Sequence, residues 1–214
     1  MGTMSFLLKT REKTAKSIIE NLEKRNMKGY YCNTKEECAE LILSLLNKGD
    51  TVTWGGSESL KQCGIPSLVK QSGEYNVLDR AEYTPETIRS YYEKAFSANA
   101  YLMGTNAITL DGILVNIDGE GNRVSSLIFG PEKVFVIAGM NKVVTHAGEA
   151  LDRIRNIASP PNTIRLNKNT PCSKTGKCGN CLSPDCICSQ IVYTRRSRAQ
   201  GRIQVILVGE SLGF

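Results

Sequence analysis

The sequence predicts an α/β protein built on a largely parallel sheet covered on both sides. Segments of strand character alternate with amphipathic helical segments along most of the chain. The last such segment, Ile203 to Val208, reads as a strand buried on both faces. No internal repeat or low-complexity linker divides the 214 residues, so one domain, 1–214, is expected, with a cysteine-rich insertion at about 168–190 before the final strands. At 41 % hydrophobic residues the chain is long enough to bury a full core.

From residue 6 to about 25, Leu8, Ala15, Ile18, Ile19 and Leu22 recur at helical spacing between lysines and glutamates, which predicts an amphipathic helix. Tyr30 to Asn33 is a short strand candidate. Thr34, with Glu37 three residues on, forms a capping box for a second helix whose stripe is Cys38, Leu41, Ile42, Leu45 and Leu46 and which ends by Gly49. Thr51 to Trp54 is β-rich and runs into Gly55-Gly56-Ser57 and a helical Glu58 to Gln62. Asn76 to Leu78 is a strand. Thr84-Pro85 opens a helix reaching about Ser97. Tyr101–Gly104, Ile113–Ile117 and Val134–Ala138 are further strands. Ala147–Ala158 is a helix with Ala150, Leu151, Ile154 and Ile157 on one face.

The N-terminal MGTMSFLLKTREKTAKSIIE lacks the apolar core and small-residue cleavage site of an export signal, and Met4 is an alternative natural start. No apolar run approaches the ~18 residues of a membrane span. A cytoplasmic protein without membrane association is the expectation. The net charge of +6 is spread along the chain. The cluster Arg195, Arg196, Arg198 and Arg202 lacks interleaved aromatics, so it reads as a solvated loop and not as a nucleic-acid surface.

Five of the eight cysteines, Cys172, Cys178, Cys181, Cys186 and Cys188, are spaced C-x5-C-x2-C-x4-C-x-C, with Gly176, Gly179 and Pro184 supplying bends. Thiolates at such spacing converge on one metal centre. A disulfide-stapled loop would need an oxidising compartment. Four thiolates satisfy a [4Fe-4S] cluster or tetrahedral zinc, and crowding of all candidates into one loop favours the cluster. Cys32, Cys38 and Cys63 read as core residues.

Ligands of such sheets sit at the carboxyl ends of strands, and three polar loops leave strands there. They are Gly55-Gly56-Ser57, where a strand feeds a helix N-terminus as in anion sites; Asn106 with the segment Asn116 to Arg123; and Gly139-Met140-Asn141-Lys142. The second loop also reads as a plain hairpin turn through Asp118-Gly119 and Glu120-Gly121. As one site, the loops would offer a general base and clamps for an anion, a small anionic metabolite. His146 reads as a surface or capping residue, since no serine lies in a nucleophile elbow.

The segments TVTWGGSESLKQCGI, NAITLDGILVNIDGEGNRVSSLIFGPEKVFVIAGMNKVV, TPCSKTGKCGNCLSPDCIC and GRIQVILVGESLGF together resemble the lactate-utilisation (LUD) domain family, and within it the single-domain YkgG-like members. The resemblance implies a three-layer α/β fold like that of ribose-5-phosphate isomerase, glucosamine-phosphate deaminase and CoA transferases. In that fold Gly55-Gly56-Ser57 resembles a phosphate loop and Asp118-Gly119 a catalytic turn, with Asp118 as acid/base and Gly55, Gly56, Ser57, Asn106, Gly119, Asn122, Arg123, Asn141 and Lys142 around the ligand. The family includes subunits of a bacterial iron-sulfur system oxidising L-lactate to pyruvate, which implies iron-sulfur redox subunits as partners. In the YkgG-like pattern the positions of Cys172, Cys178, Cys181 and Cys188 are cysteines, whereas that of Cys186 is commonly arginine; Cys186 is then a substitute ligand or a spare thiol.

Three functions stay open at this point: a redox subunit acting on or sensing a small hydroxy or keto acid, a non-catalytic assembly or metabolite-binding subunit, and an isomerase- or transferase-like enzyme on a sugar phosphate or acyl-CoA with a structural metal. A homo-oligomer is left open too.

Overall fold

A computed structural model describes residues 5–214; Met4 lies outside the described residues. Along the chain run α1 (Phe6–Lys24), β1 (Lys28–Cys32), α2 (Lys35–Leu45), β2 (Thr51–Trp54), α3 (Glu58–Gln62), α4 (Ile65–Ser72), β3 (Asn76–Leu78), α5 (Ile88–Phe96), β4 (Ala100–Gly104), β5 (Ala107–Thr109), β6 (Leu114–Asp118), α6 (Asn122–Ile128), β7 (Lys133–Gly139), β8 (Val143–Val144), α7 (Ala147–Arg153), α8 (Ser159–Arg165), α9 (Pro171–Thr175), β9 (Gln190–Thr194) and β10 (Ile203–Val208). Six strands form an all-parallel sheet in the order β1-β10-β7-β4-β2-β3.

Its central strands are apolar on both faces because both faces are covered. Ala100, Leu102, Phe135, Ile137, Ile206 and Val208 point to one core, which α2, α3 and α4 close with Cys38, Ala39, Ile42, Leu60, Ile65 and Val69. The alternate residues Tyr101, Met103, Val134, Val136, Val205 and Leu207 point to the other. There the cover is not helical throughout. Ala15, Ile18 and Leu22 of α1 share it with Ile108 and Leu114 of a second sheet, of order β8-β5-β6-β9. That sheet is largely antiparallel, with β6 pairing both β5 and β9 in that sense, and a third apolar cluster joins it to Ala150 and Ile154. The expectation of an α/β fold with a mostly parallel sheet is met, and the second sheet is an addition to it.

Several local expectations change. Thr34 caps α2 by accepting from the Glu37 N–H at 3.2 Å, but the Glu37 carboxylate accepts from Asn33, not from Thr34. The segment after Asp118 is not a hairpin: Gly121, at φ +83°, turns the chain directly into α6. The helix expected at 147–158 passes through a π turn at Ile154–Ala158 and continues as α8, which leaves Ile157 59 % exposed instead of on the buried stripe. Arg202 is no solvated loop residue; its guanidinium donates to the carbonyls of Pro131, Leu127 and Ser126. Arg195, Arg196 and Arg198 are exposed. No described helix is long and apolar enough to cross a membrane.

Candidate functional site

Strands β2, β4 and β7 are neighbours and end at Trp54, Gly104 and Gly139, while β6 ends at Asp118 nearby. Around these carboxyl ends lies a cleft of about 590 Å³. Gly55, Gly56, Ser57, Asn106, Asp118, Gly119, Asn122, Arg123 and Lys142 all line it, so the three loops converge on one site. Asn141 is the exception: its Oδ1 accepts from the Leu212 N–H at 3.0 Å and so ties down the C-terminal segment. A Cβ on Gly139 would lie 2.5 Å from both Asn141 Oδ1 and Leu212 N, which explains a residue without a side chain there.

Arg123 organises the floor. Its Nε lies 3.2 Å from Asp118 Oδ2, Nη1 donates to Asn116 Oδ1 and the Gly104 carbonyl, and Nη2 to Asn106 Oδ1 and the Ile117 carbonyl. Burial pulls the guanidinium below its ordinary value, partly offset by Asp118, and it stays charged. The other Asp118 oxygen accepts from the Gly121 N–H at 3.0 Å. Both oxygens of Asp118 are thus engaged, one by a guanidinium and one by a backbone amide.

Lys142 follows β7 in a one-turn 3₁₀ segment, is 5 % exposed and donates from Nζ to Ser59 Oγ at 2.8 Å. Burial, reinforced by the Arg153 and Arg123 guanidiniums, pulls it down to about 7. Arg153 itself is buried and donates to the carbonyls of Asn106 and Asn141. The glycine loop is less of an anion site than its sequence implies. Helix α3 is a single short turn, and the Ser57 side chain already caps it by accepting from the Leu60 N–H.

Sequence reading missed Ser59, Arg153 and the segment Gly213-Phe214, which also lines the cleft. Arg153 carried a signal, being an arginine three residues after Ala150 on an otherwise apolar helical face. For Gly213 no local pattern existed.

The cysteine loop forms another wall. Pro184, Asp185, Cys186, Ile187 and Ser189 line the same cleft, and a Cβ on Gly119 would sit 3.3 Å from Ile187 Cα. Pairing of Gln190 with Asp118, where β9 meets β6, holds the loop there. All eight cysteines are thiols. Cys172 is buried, with its Sγ 3.2 Å from Thr170 Oγ1 and 3.5 Å from Thr163 Oγ1. Cys178, Cys181, Cys186 and Cys188 are half-buried. Asn180 N–H donates to Cys178 Sγ at 3.4 Å, and Cys188 Sγ is 3.6 Å from Ser159 Oγ. Burial pushes Cys188 up, and Cys186 and Cys178 act on it in the same direction. Among the described residues no three potential ligands are drawn together around one point. The donor set nonetheless fits a thiolate-bound metal: several sulfurs on one bent loop, half-buried, with hydroxyl and amide donors facing them. Cys32 and Cys38 are core residues, their thiols pushed up, Cys32 to about 11 by burial and Cys38 by its hydrogen bond to Cys63 and by burial. Cys63 is 6 % exposed. His146 caps α7, accepting from the Glu149 N–H.

A family model described as the LUD domain matches residues 15–208. The chain belongs to the LUD domain family. Among solved structures, a DUF162 family protein from Deinococcus radiodurans is similar to the LUD protein at 13 % identity and a TM-score of 0.53, covering 96 % of this chain and 99 % of that one; at that identity the likeness concerns the fold. Partial likenesses extend to ribose 5-phosphate isomerase A from Neisseria gonorrhoeae (17 % identity, TM-score 0.35, 52 % and 53 % coverage). The ribose 5-phosphate isomerase from Plasmodium falciparum is similar to the same extent (17 %, 0.32, 52 % and 52 %). No curated protein matches the LUD protein.

Proposed function

We propose that this LUD protein is a metal-carrying redox subunit of lactate-utilisation type, acting on or sensing a small hydroxy or keto acid in the cleft. Cys172, Cys178, Cys181 and Cys188 would hold a [4Fe-4S] cluster, with zinc as the alternative and Cys186 as a spare or substitute thiol. When bound, a cluster supplies one-electron transfer. The observation that carries this reading is the shared wall: residues of the cysteine loop line the cleft that holds Arg123, Asp118 and Lys142. Of the loop's cysteines, Cys186 is the one in that wall.

The chain's own groups do the rest. The Arg123 guanidinium, with that of Arg153 behind it, makes the pocket floor positive, which favours a small carboxylate. Burial excludes water from that floor and strengthens the attraction. Asp118 balances Arg123 and fixes the direction of its guanidinium. Iron-sulfur proteins of the same pathway are the expected partners. The isomerase-like alternative is weakened by the ties on Asp118, both of whose oxygens are engaged.

Anaerobic purification followed by visible spectra before and after dithionite, with iron, sulfide and zinc counted per chain, tests the metal. A brown, bleachable protein with about four irons, colourless in Cys178→Ser, supports the cluster. One zinc and no colour would make the loop structural.

A further inference from the structure

Among the described residues, Lys142 is the one buried lysine, and its amine borders the cleft with only the uncharged Ser59 Oγ as hydrogen-bond partner, at 2.8 Å. The titratable groups acting on it are the Arg153 and Arg123 guanidiniums and the Cys63 thiol. No described carboxylate pairs with it. The C-terminal segment is packed against the amine, because a Cβ on Gly213 would lie 3.4 Å from Nζ and 2.9 Å from Ser59 Oγ. A buried ammonium without a counterion is an expensive way to fill space, and an apolar residue would fill it better. Desolvation beside other cations is, however, how proteins keep a lysine neutral and nucleophilic toward carbonyl compounds.

We propose that Lys142 takes up a small 2-keto acid covalently, as an iminium on Nζ. The inference rests on reading the cleft as a hydroxy or keto acid site and goes further, assigning the attachment atom. The neutral amine attacks the C2 carbonyl and a C–N bond forms. The carbonyl π pair moves to oxygen, which takes the proton released by nitrogen, and Ser59 Oγ is placed to relay it. The resulting hydroxyl accepts a further proton and leaves as water as the C=N bond forms. One water is released and one proton consumed, with no net oxidation.

The test is reductive trapping: the purified full chain is incubated with pyruvate or glyoxylate and cyanoborohydride, and the modified peptide located by mass spectrometry. Keto acid binding is measured in parallel without reductant by calorimetry. The expected result is one adduct on the peptide containing Lys142, lost in Lys142→Met and reduced in Gly213→Ala, which keeps the lysine but crowds its amine; melting curves verify that both variants fold. Binding without an adduct on Lys142, or adducts spread over surface lysines and unchanged in Lys142→Met, would overturn the inference while leaving the cleft reading intact. Absence of binding by keto acids would overturn the inference, and absence of binding by keto and hydroxy acids alike would overturn both.

Discussion

Arg123 makes five polar contacts from one buried guanidinium, and four of the five oxygens belong to residues lining the cleft, the fifth to the buried Asn116. Removing it leaves Asp118 and Asn116 buried without their partner. Arg123→Ala is expected to destabilise the protein by about 3–5 kcal/mol in urea unfolding. Arg123→Lys should recover little, since a point charge cannot replace the planar fork. Lys142 behaves oppositely. Its folded-state value of about 7 lies below that of an unfolded lysine, about 10.4. Between those values the unfolded chain binds more protons, so stability from this group rises as pH increases through the window and is lost as pH falls toward 7. Lys142→Met should therefore flatten the pH dependence of Tm on the alkaline side and raise Tm by a few degrees at neutral pH.

At the level of elements, Gly139→Ala is expected to cost about 1–3 kcal/mol, because the new methyl meets Leu212 N and Asn141 Oδ1 at 2.5 Å. Hydrogen exchange should show the segment after β10 loosened. Most helices and all six strands of the main sheet were legible in the sequence, since a strand buried on both faces is an apolar run and an amphipathic helix has its stripe. Of the second sheet only β6 was legible, as Ile113 to Ile117. Strand β8 has two residues and β9 alternates weakly, so neither has a pattern apart from its partners. Helix α6 was masked by turn dipeptides, and α8 lies beyond the expected helix end at Ala158 because the π turn that leads into it has no sequence signature. Of the candidate site, the three loops were legible as polar residues after strands. The burial of Arg123 and Lys142 was not, because it depends on the second sheet and the C-terminal segment closing over them.

Over the whole molecule, the sheet's carboxyl ends bring together a positive pocket and a cysteine loop nearly 70 residues away from Asp118 in sequence, through the pairing of Asp118 with Gln190. Metal removal by a chelator should thus be felt in the cleft, with exchange protection falling in 168–190 and at Gly119 while β10 stays protected. The decisive measurement is a titration of L-lactate and of pyruvate into the anaerobically purified protein, followed by visible and paramagnetic resonance spectra of its metal centre. A saturable spectral change, absent in Arg123→Lys, is the result predicted if pocket and metal form one unit. Tight binding of either acid with an unaltered metal spectrum, or a protein that carries no iron at all, would contradict it.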